Sequence, residues 1–454
     1  MILEKLSVTE IAFFCGKKTK VEGFVTKVSL DSRDVDGETL FVAIKGERFD
    51  ANDFVEDVLN KGVKAVVCSR YDGNDERVIV VEDTGKALLD IAKGYRERFD
   101  IPFIALTGSV GKTTTKGMVF SVVNKKFNAM RTEGNLNNDI GVPKTLFTLN
   151  KNTEAAVIEM GMNHFGEISK LTKAVKPDIG IITNVGTAHI ENLGSREGIL
   201  KAKCEILEGM KKGSPLIING DNDMLSTLDL PDYEVLRFGI EANNLYMKAK
   251  NINARAEGSY FTAVCENEET QVFVPAAGIH NVYNALCAMC TGKKLGYTLK
   301  EAADAVGDFV PEGMRQKVEK VKGYTFIEDC YNANPDSMKA ALSTLSTLKT
   351  SRSIAVLGDM LELGSYSEKA HRETGVFAFE TGADAVLTFG KDARFIAEEA
   401  KKCGVEDAKF FENKAELKDY LSNILKTGDT VLFKGSRSMK TEEIFLELYR
   451  EWNV

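Results

Sequence analysis

No stretch of this 454-residue chain approaches the roughly 18 consecutive apolar residues that a membrane-spanning helix needs. The N-terminus, MILEKLSVTEIAFFCGKK, has acidic residues where a secretory signal has a basic head, and it lacks a sustained apolar run. A mature cytoplasmic protein is expected. Positive charge is also in deficit. The formal net charge of −8 disfavours broad nucleic-acid binding, although a local anion pocket remains open. Eight cysteines are scattered along the chain, but Cys287 and Cys290 form the only C-x-x-C. With neither a second pair nor suitably spaced histidines, zinc is not expected, and buried helix packing is. Only two glutamines occur, Gln271 and Gln316, beside many Lys and Glu. A hot habitat would favour that bias, and genomic composition explains it equally well.

What is present is ordinary globular composition, 43% hydrophobic and 28% charged. At about 150 residues per domain, the length suggests three domains. A recurrent theme is a short Val/Ile-rich run, a Gly- or Asp-containing turn, then an amphipathic stretch. Such runs lie at 101–107, 154–160, 178–183, 215–219, 324–329, 353–359, 385–390 and 430–435. Alternation of this kind predicts an α/β chain with parallel strands covered on both faces. Ligands then sit beyond the C-terminal ends of the strands. Breaks before Pro102 and at Phe309–Gly313 divide the chain into 1–99, 100–311 and 312–454.

The strongest local signal is the run 107–115, TGSVGKTTT, which follows an apolar strand and opens a helix. Backbone N–H groups of Gly108, Ser109, Val110, Gly111, Lys112, Thr113 and Thr114 can wrap nucleotide phosphates. Lys112 neutralises phosphate charge there, and the Thr113 hydroxyl suits Mg²⁺. The loop is shorter than the G-x-x-x-x-G-K form, since Leu106 stands at that pattern's first glycine. No Asn-Lys-x-Asp guanine reader is found, which argues against a switch GTPase. Glu159 ends the strand AAVIE and is available to hold a metal; alone, it could equally be a surface cap.

Several further motifs occur in order: EGNLNNDIGVP (133–143), IEMGMNHFGEI (158–168), ITNVGTAHIENLGS (182–195), GIHNVYNALCA (278–288), EDCYNANPDSM (328–338), LGDMLELG (357–364) and KGSRSM (434–439). With the phosphate loop, they make the whole chain resemble the Mur ligases, which build the peptide stem of peptidoglycan on a UDP-sugar. The N-terminal DSRDVDGETLFVAIKGERFDANDF (31–54) is of a kind shared with the ligase adding the third stem residue. That ligase's Asp-Asn-Pro-Arg reader is not found. YNANPDSM and LGDMLELG are typical of the branch that adds D-Ala-D-Ala. The rival readings are the third-residue ligase, a folate polyglutamylating enzyme, and a nucleotide switch without ligase chemistry.

The resemblance implies a smaller N-terminal α/β UDP-binding domain, a central P-loop parallel sheet and a C-terminal Rossmann-like α/β domain. It implies ATP-dependent joining of D-Ala-D-Ala to UDP-N-acetylmuramoyl-tripeptide through an acyl phosphate. Cofactors implied are ATP, two Mg²⁺ and a carbamylated lysine. Lys112, Glu159, His189, Lys203 and Arg315 would carry the chemistry, with Thr113, Glu159, His189 and carbamylated Lys203 as metal ligands. Lys203 has a near neighbour in Lys201, so the register is open. Taken alone, His164, His189, His280 and His371 each read more readily as structural; the GTAHIE context singles out His189. Asn281, Arg315, Asp329, Tyr331, Asn334 and Asp336 would meet ATP, Arg315 being equally readable as a linker ion pair. Ser32, Arg33, Lys45, Arg48 and Phe49 would hold the UDP end, and Asn135, Asn137 and Asn138 the acceptor or nearby phosphate. A monomer is expected, with hinges near residues 100 and 311.

Overall fold

A computed structural model describes residues 1–46, 49–255, 257–311, 313 and 315–452. Among them the strands form three sheets. The first contains β1 (Ile2–Ser7), β2 (Phe24–Ser29), β3 (Thr39–Val42), β4 (Ala65–Cys68) and β5 (Val78–Val80), in that spatial order. The middle sheet contains β6 (Phe103–Thr107), β7 (Ala129–Arg131), β8 (Ala155–Glu159), β9 (Ile179–Ile182), β10 (Pro215–Asn219), β11 (Glu234–Gly239), β12 (Met247–Arg255), β13 (Gly258–Cys265) and β14 (Glu268–Val274). Its order is β14-β13-β12-β11-β10-β9-β6-β8-β7. The third contains β15 (Lys317–Val321), β16 (Tyr324–Asp329), β17 (Ser353–Leu357), β18 (Ala385–Phe389), β19 (Asp407–Phe411) and β20 (Thr430–Lys434), ordered β15-β16-β20-β17-β18-β19.

The apolar runs occupy the parallel, fully buried centres of the middle and third sheets, as helices on both faces require. Antiparallel strands flank these parallel centres. β1–β2, β12–β13, β13–β14 and β15–β16 pair antiparallel. β13 and β14 are joined by only Glu266 and Asn267, and a connection that short permits no crossover. The C-x-x-C is core, as expected: Cys287 and Cys290 are buried in the helix Ile279–Lys294.

The first two units share one hydrophobic cluster. Leu3, Leu6, Tyr95, Phe103, Phe147 and Ile158 all belong to it. Tyr95 is fully buried, accepts from the Glu4 amide at 2.8 Å and donates to the Leu149 carbonyl at 2.6 Å. The Arg96 guanidinium lies 3.8 Å from the Phe103 ring centre and donates to the Val175 carbonyl. The third sheet has two clusters, one of which takes in Ala277 and Ile190 of the middle unit, and polar pairs around a cleft also join the two units.

Candidate active site

β6 runs between β8 and β9, with Leu106 opposite Glu159 and Thr107 opposite Ile182. The chain therefore delivers the phosphate loop, Glu159 and Thr183–Asn184 to one edge. The loop's shape is held from β9. The Asn184 Oδ1 accepts from the Ser109 and Val110 amides at 3.0 and 2.9 Å, while the Thr183 hydroxyl donates to the Val110 carbonyl. Those two amides are thus engaged inside the loop. The first-turn amides of the helix Lys112–Val123 have no intrahelical acceptors and supply the anion-facing donors. Gly111 has φ +77°, which L side chains rarely adopt.

Glu159 is the hub. Its Oε2 accepts from the Thr113 hydroxyl at 3.1 Å and lies 3.3 Å from the Lys116 ammonium. Its Oε1 accepts from the Asn137 amide at 2.8 Å. Lys116 also donates to the Gly134 carbonyl at 3.1 Å, tying the Asn-rich loop to the phosphate-loop helix. The Asn138 Oδ1 accepts from the amide of Gly141, the first residue of the helix Gly141–Leu146. Pro143 lies inside that helix's first turn, where its missing N–H costs nothing, rather than closing the loop before it. Asn135 lines the cleft.

The cleft itself is a cavity of about 1090 Å³, lined by Ser109–Thr115, Glu159, His189, Asn281, Arg315, Asp329, Tyr331 and Asn334, among others. Lys112 donates to the Gly108 carbonyl, and burial lowers its pKa, with the nearby Arg315 charge acting in the same direction. Arg315 stacks 3.9 Å from the Tyr331 ring centre. Lys112 and Arg315, from the middle and third units, thus line the same cleft. Asp329 pairs with the buried Lys434 at 2.7 Å. Asn334 caps the helix Pro335–Leu348 through Ser337, and Asp336 accepts from the Thr187 amide at 3.2 Å across the cleft. Asn281 is buried, with its amide donating to the Ala277 carbonyl and its Oδ1 accepting from Asn284.

Lys203 is 2% exposed, and its side chain makes no hydrogen bond or ion pair among the described residues. Burial, helped by the Lys112 charge, pushes its pKa well down. Lys201 is exposed near the Phe165 ring, which separates the two lysines of the open register. Among the histidines, His371 is buried and accepts from the Met360 amide, His280 meets Gln316, and His164 is exposed beside Glu167. His189 pairs across the cleft with a carboxylate, Glu362, at 2.6 Å, and this contact holds the Glu362 carboxyl below the usual range.

The residues nominated for the UDP end lie on the first sheet's loops, outside the cleft lining. The Ser32 carbonyl accepts from Lys61, Arg33 pairs with Asp31, Lys45 bridges Asp50, and Phe49 stacks on Phe54 while 59% exposed. Arg48 lies outside the described residues. Sequence reasoning missed Lys116 and Glu362. The i, i+4 spacing of Lys112 and Lys116 on one helix was the signal available for the first.

The fold and cleft define a phosphate-loop, nucleotide-binding α/β protein of three sheets. Family models match residues 24–96 (Mur ligase family, catalytic domain), 106–292 (Mur ligase middle domain) and 314–437 (Mur ligase, glutamate ligase domain). The chain belongs to the Mur ligase family and is an ATP-dependent ligase. It is 39% identical to a UDP-N-acetylmuramoyl-tripeptide–D-alanyl-D-alanine ligase of Bacillus subtilis, covering 93% of this chain and 92% of that one. The Escherichia coli enzyme of the same name is 36% identical, covering 92% of each. A crystal structure of MurF from Acinetobacter baumannii superposes with a TM-score of 0.91 at 31% identity, covering 99% of both chains. MurF from Thermotoga maritima in complex with ADP gives 0.85 at 27%, covering 94% of this chain and 97% of that one.

Proposed function

We propose that this ligase joins D-alanyl-D-alanine to UDP-N-acetylmuramoyl-tripeptide in peptidoglycan precursor synthesis. The observation that carries the reading is agreement with curated ligases of that name over more than nine-tenths of both lengths, at 39 and 36% identity. A carboxylate is a poor acyl donor because its leaving group would be oxide. Phosphorylation by ATP gives an acyl phosphate, and the dipeptide's amine displaces phosphate, leaving ADP and phosphate as products. Charge gathers on the transferring phosphoryl group, so cations and positioned donors matter more than a strong base. Lys112 and Arg315 line the same cleft from the middle and third units and would supply those cations. An α-amino group is partly neutral near pH 7, so the attack asks little more than orientation.

The donor set fits Mg²⁺. The Thr113 hydroxyl and Glu159 carboxylate stand 3.1 Å apart, and hard oxygens from one or two side chains, completed by phosphates and water, are what Mg²⁺ takes. Bound there, it would neutralise phosphate oxygens. A second site would draw on His189 and Lys203. As an ammonium Lys203 would repel a cation; as a carbamate it becomes an anionic oxygen donor. Its suppressed charge favours the neutral amine that reacts with carbon dioxide. ATP would contact Asn281, Asp329, Tyr331, Asn334 and Asp336; Ser32, Arg33, Lys45 and Phe49 would hold the UDP end. The domains run 1–99, 100–311 and 312–454, and the enzyme works in the cytoplasm as a monomer. Among the described residues no helix is long and apolar enough to cross a membrane.

The test supplies ATP, UDP-N-acetylmuramoyl-tripeptide and D-Ala-D-Ala, and follows phosphate and pentapeptide. Phosphate release should require both co-substrates; release independent of them removes the ligase reading.

A further inference from the structure

His189 and Glu362 are both non-glycine residues in the left-handed region, with φ of 63° and 62°. That conformation is unfavourable for a residue with a Cβ and persists where surrounding structure enforces it. The two strained residues face each other. His189 follows β9 of the middle sheet, Glu362 follows β17 of the third, and His189 Nδ1 lies 2.6 Å from Glu362 Oε2. Neighbouring contacts join the same two domains. The Thr187 amide donates to Asp336, and a Cβ placed on Gly364 would come within 3.1 Å of the Glu191 side chain. Both His189 and Glu362 line the nucleotide cleft. Nε2 of His189 has no hydrogen-bond partner among the described residues.

A carboxylate can only accept. A neutral imidazole bonded to it must therefore carry its proton on Nδ1, which leaves the Nε2 lone pair exposed. Metal-binding histidines are commonly oriented by such a carboxylate. Here the carboxylate comes from a different domain.

We infer that Glu362 is a positioning residue that sets the tautomer and orientation of His189 across the interdomain cleft, presenting Nε2 as a ligand only when the third domain is docked. The ligand part rests on the reading of His189 given above. The tautomer part does not. The device makes assembly of the cation site conditional on the position of the third domain.

The chain has only four histidines, so ¹⁵N-resolved NMR of their imidazoles can follow His189 in the full-length protein without ligands. At pH 9 the wild type should show His189 protonated on Nδ1. Glu362→Ala should shift it toward the Nε2–H form that an unconstrained imidazole prefers. Glu362→Gln, whose amide oxygen still accepts, should keep Nδ1–H. Glu362 is 53% exposed on its side chain, so both variants are expected to fold. In turnover, Glu362→Ala should raise the half-saturating Mg²⁺ concentration about tenfold or more, with Glu362→Gln close to wild type. An unchanged tautomer in Glu362→Ala overturns the inference, as does a shifted tautomer with unchanged Mg²⁺ dependence while His189→Ala does alter it. If His189→Ala leaves Mg²⁺ dependence unmoved, the ligand reading falls, and the tautomer result still decides the role of Glu362.

Discussion

Burying an ammonium without a counter-ion disfavours the charged form, and Lys203 is in that position. Its folded pKa lies below its ordinary 10.5, so the unfolded chain binds more protons between those two values. Wild-type stability therefore rises with pH through that window. In carbon dioxide-free buffer, Lys203→Met should be more stable than wild type by about 1–3 kcal/mol at pH 7 in urea unfolding. The gap should close as pH approaches 10.5, while ligase activity is lost; a gap independent of pH would contradict the burial argument. Lys116 behaves oppositely, because it is buried with a partner. Lys116→Met strands the Glu159 carboxylate and should destabilise the protein by about 3–5 kcal/mol. Thermal unfolding should show the loss, and added Mg²⁺ with ADP should restore part of it. Lys116 was the legible miss: its spacing from Lys112 was in view, but its partner Glu159 lies 43 positions further on, beyond any local pattern.

At the scale of elements, the phosphate loop is one strand, one turn and one helix, yet its shape depends on the neighbouring strand. A Cβ on Gly108 would fall 1.8 Å from the Thr183 hydroxyl, which cannot rotate away without breaking its bond to the Val110 carbonyl. Gly108→Ala should therefore raise KM for ATP more than tenfold with little change in KM for the UDP-substrate, measured by phosphate release. Equal KM values would mean that the loop tolerates the shift. The apolar runs announced the central strands because each is buried on both faces. The antiparallel margins were not legible. β12 and β13 carry mixed burial, and a strand exposed on one side lacks the unbroken apolar signature.

For the whole molecule, the shared core around Tyr95 and Phe147 makes the first two units one body. The expected hinge near residue 100 is therefore unfavourable, since opening it would expose that core. Motion is expected between the middle and third units, which meet around the cleft through Thr187–Asp336, His189–Glu362 and His280–Gln316. An ATP analogue with the UDP-substrate should compact the particle in small-angle scattering, and Ala substitution at Tyr95 should destabilise it without changing that response. Identical scattering curves with both ligands bound would refute closure. The net charge of −8 is then a property of the outer surface, while Lys112 and Arg315 concentrate positive charge in the cleft.

The sequence by itself determined the family, the central strands and the phosphate loop. These depend on contiguous residues whose hydropathy, glycine placement and hydroxyl chemistry act locally. Only the tertiary structure decided which lysine of LKAKC is buried, which side chains surround Glu159, where the molecule is rigid, and that His189 meets Glu362. Each of those depends on burial or on contacts between residues distant along the chain, 173 positions in the last case, and such proximity exists only once the sheets have packed.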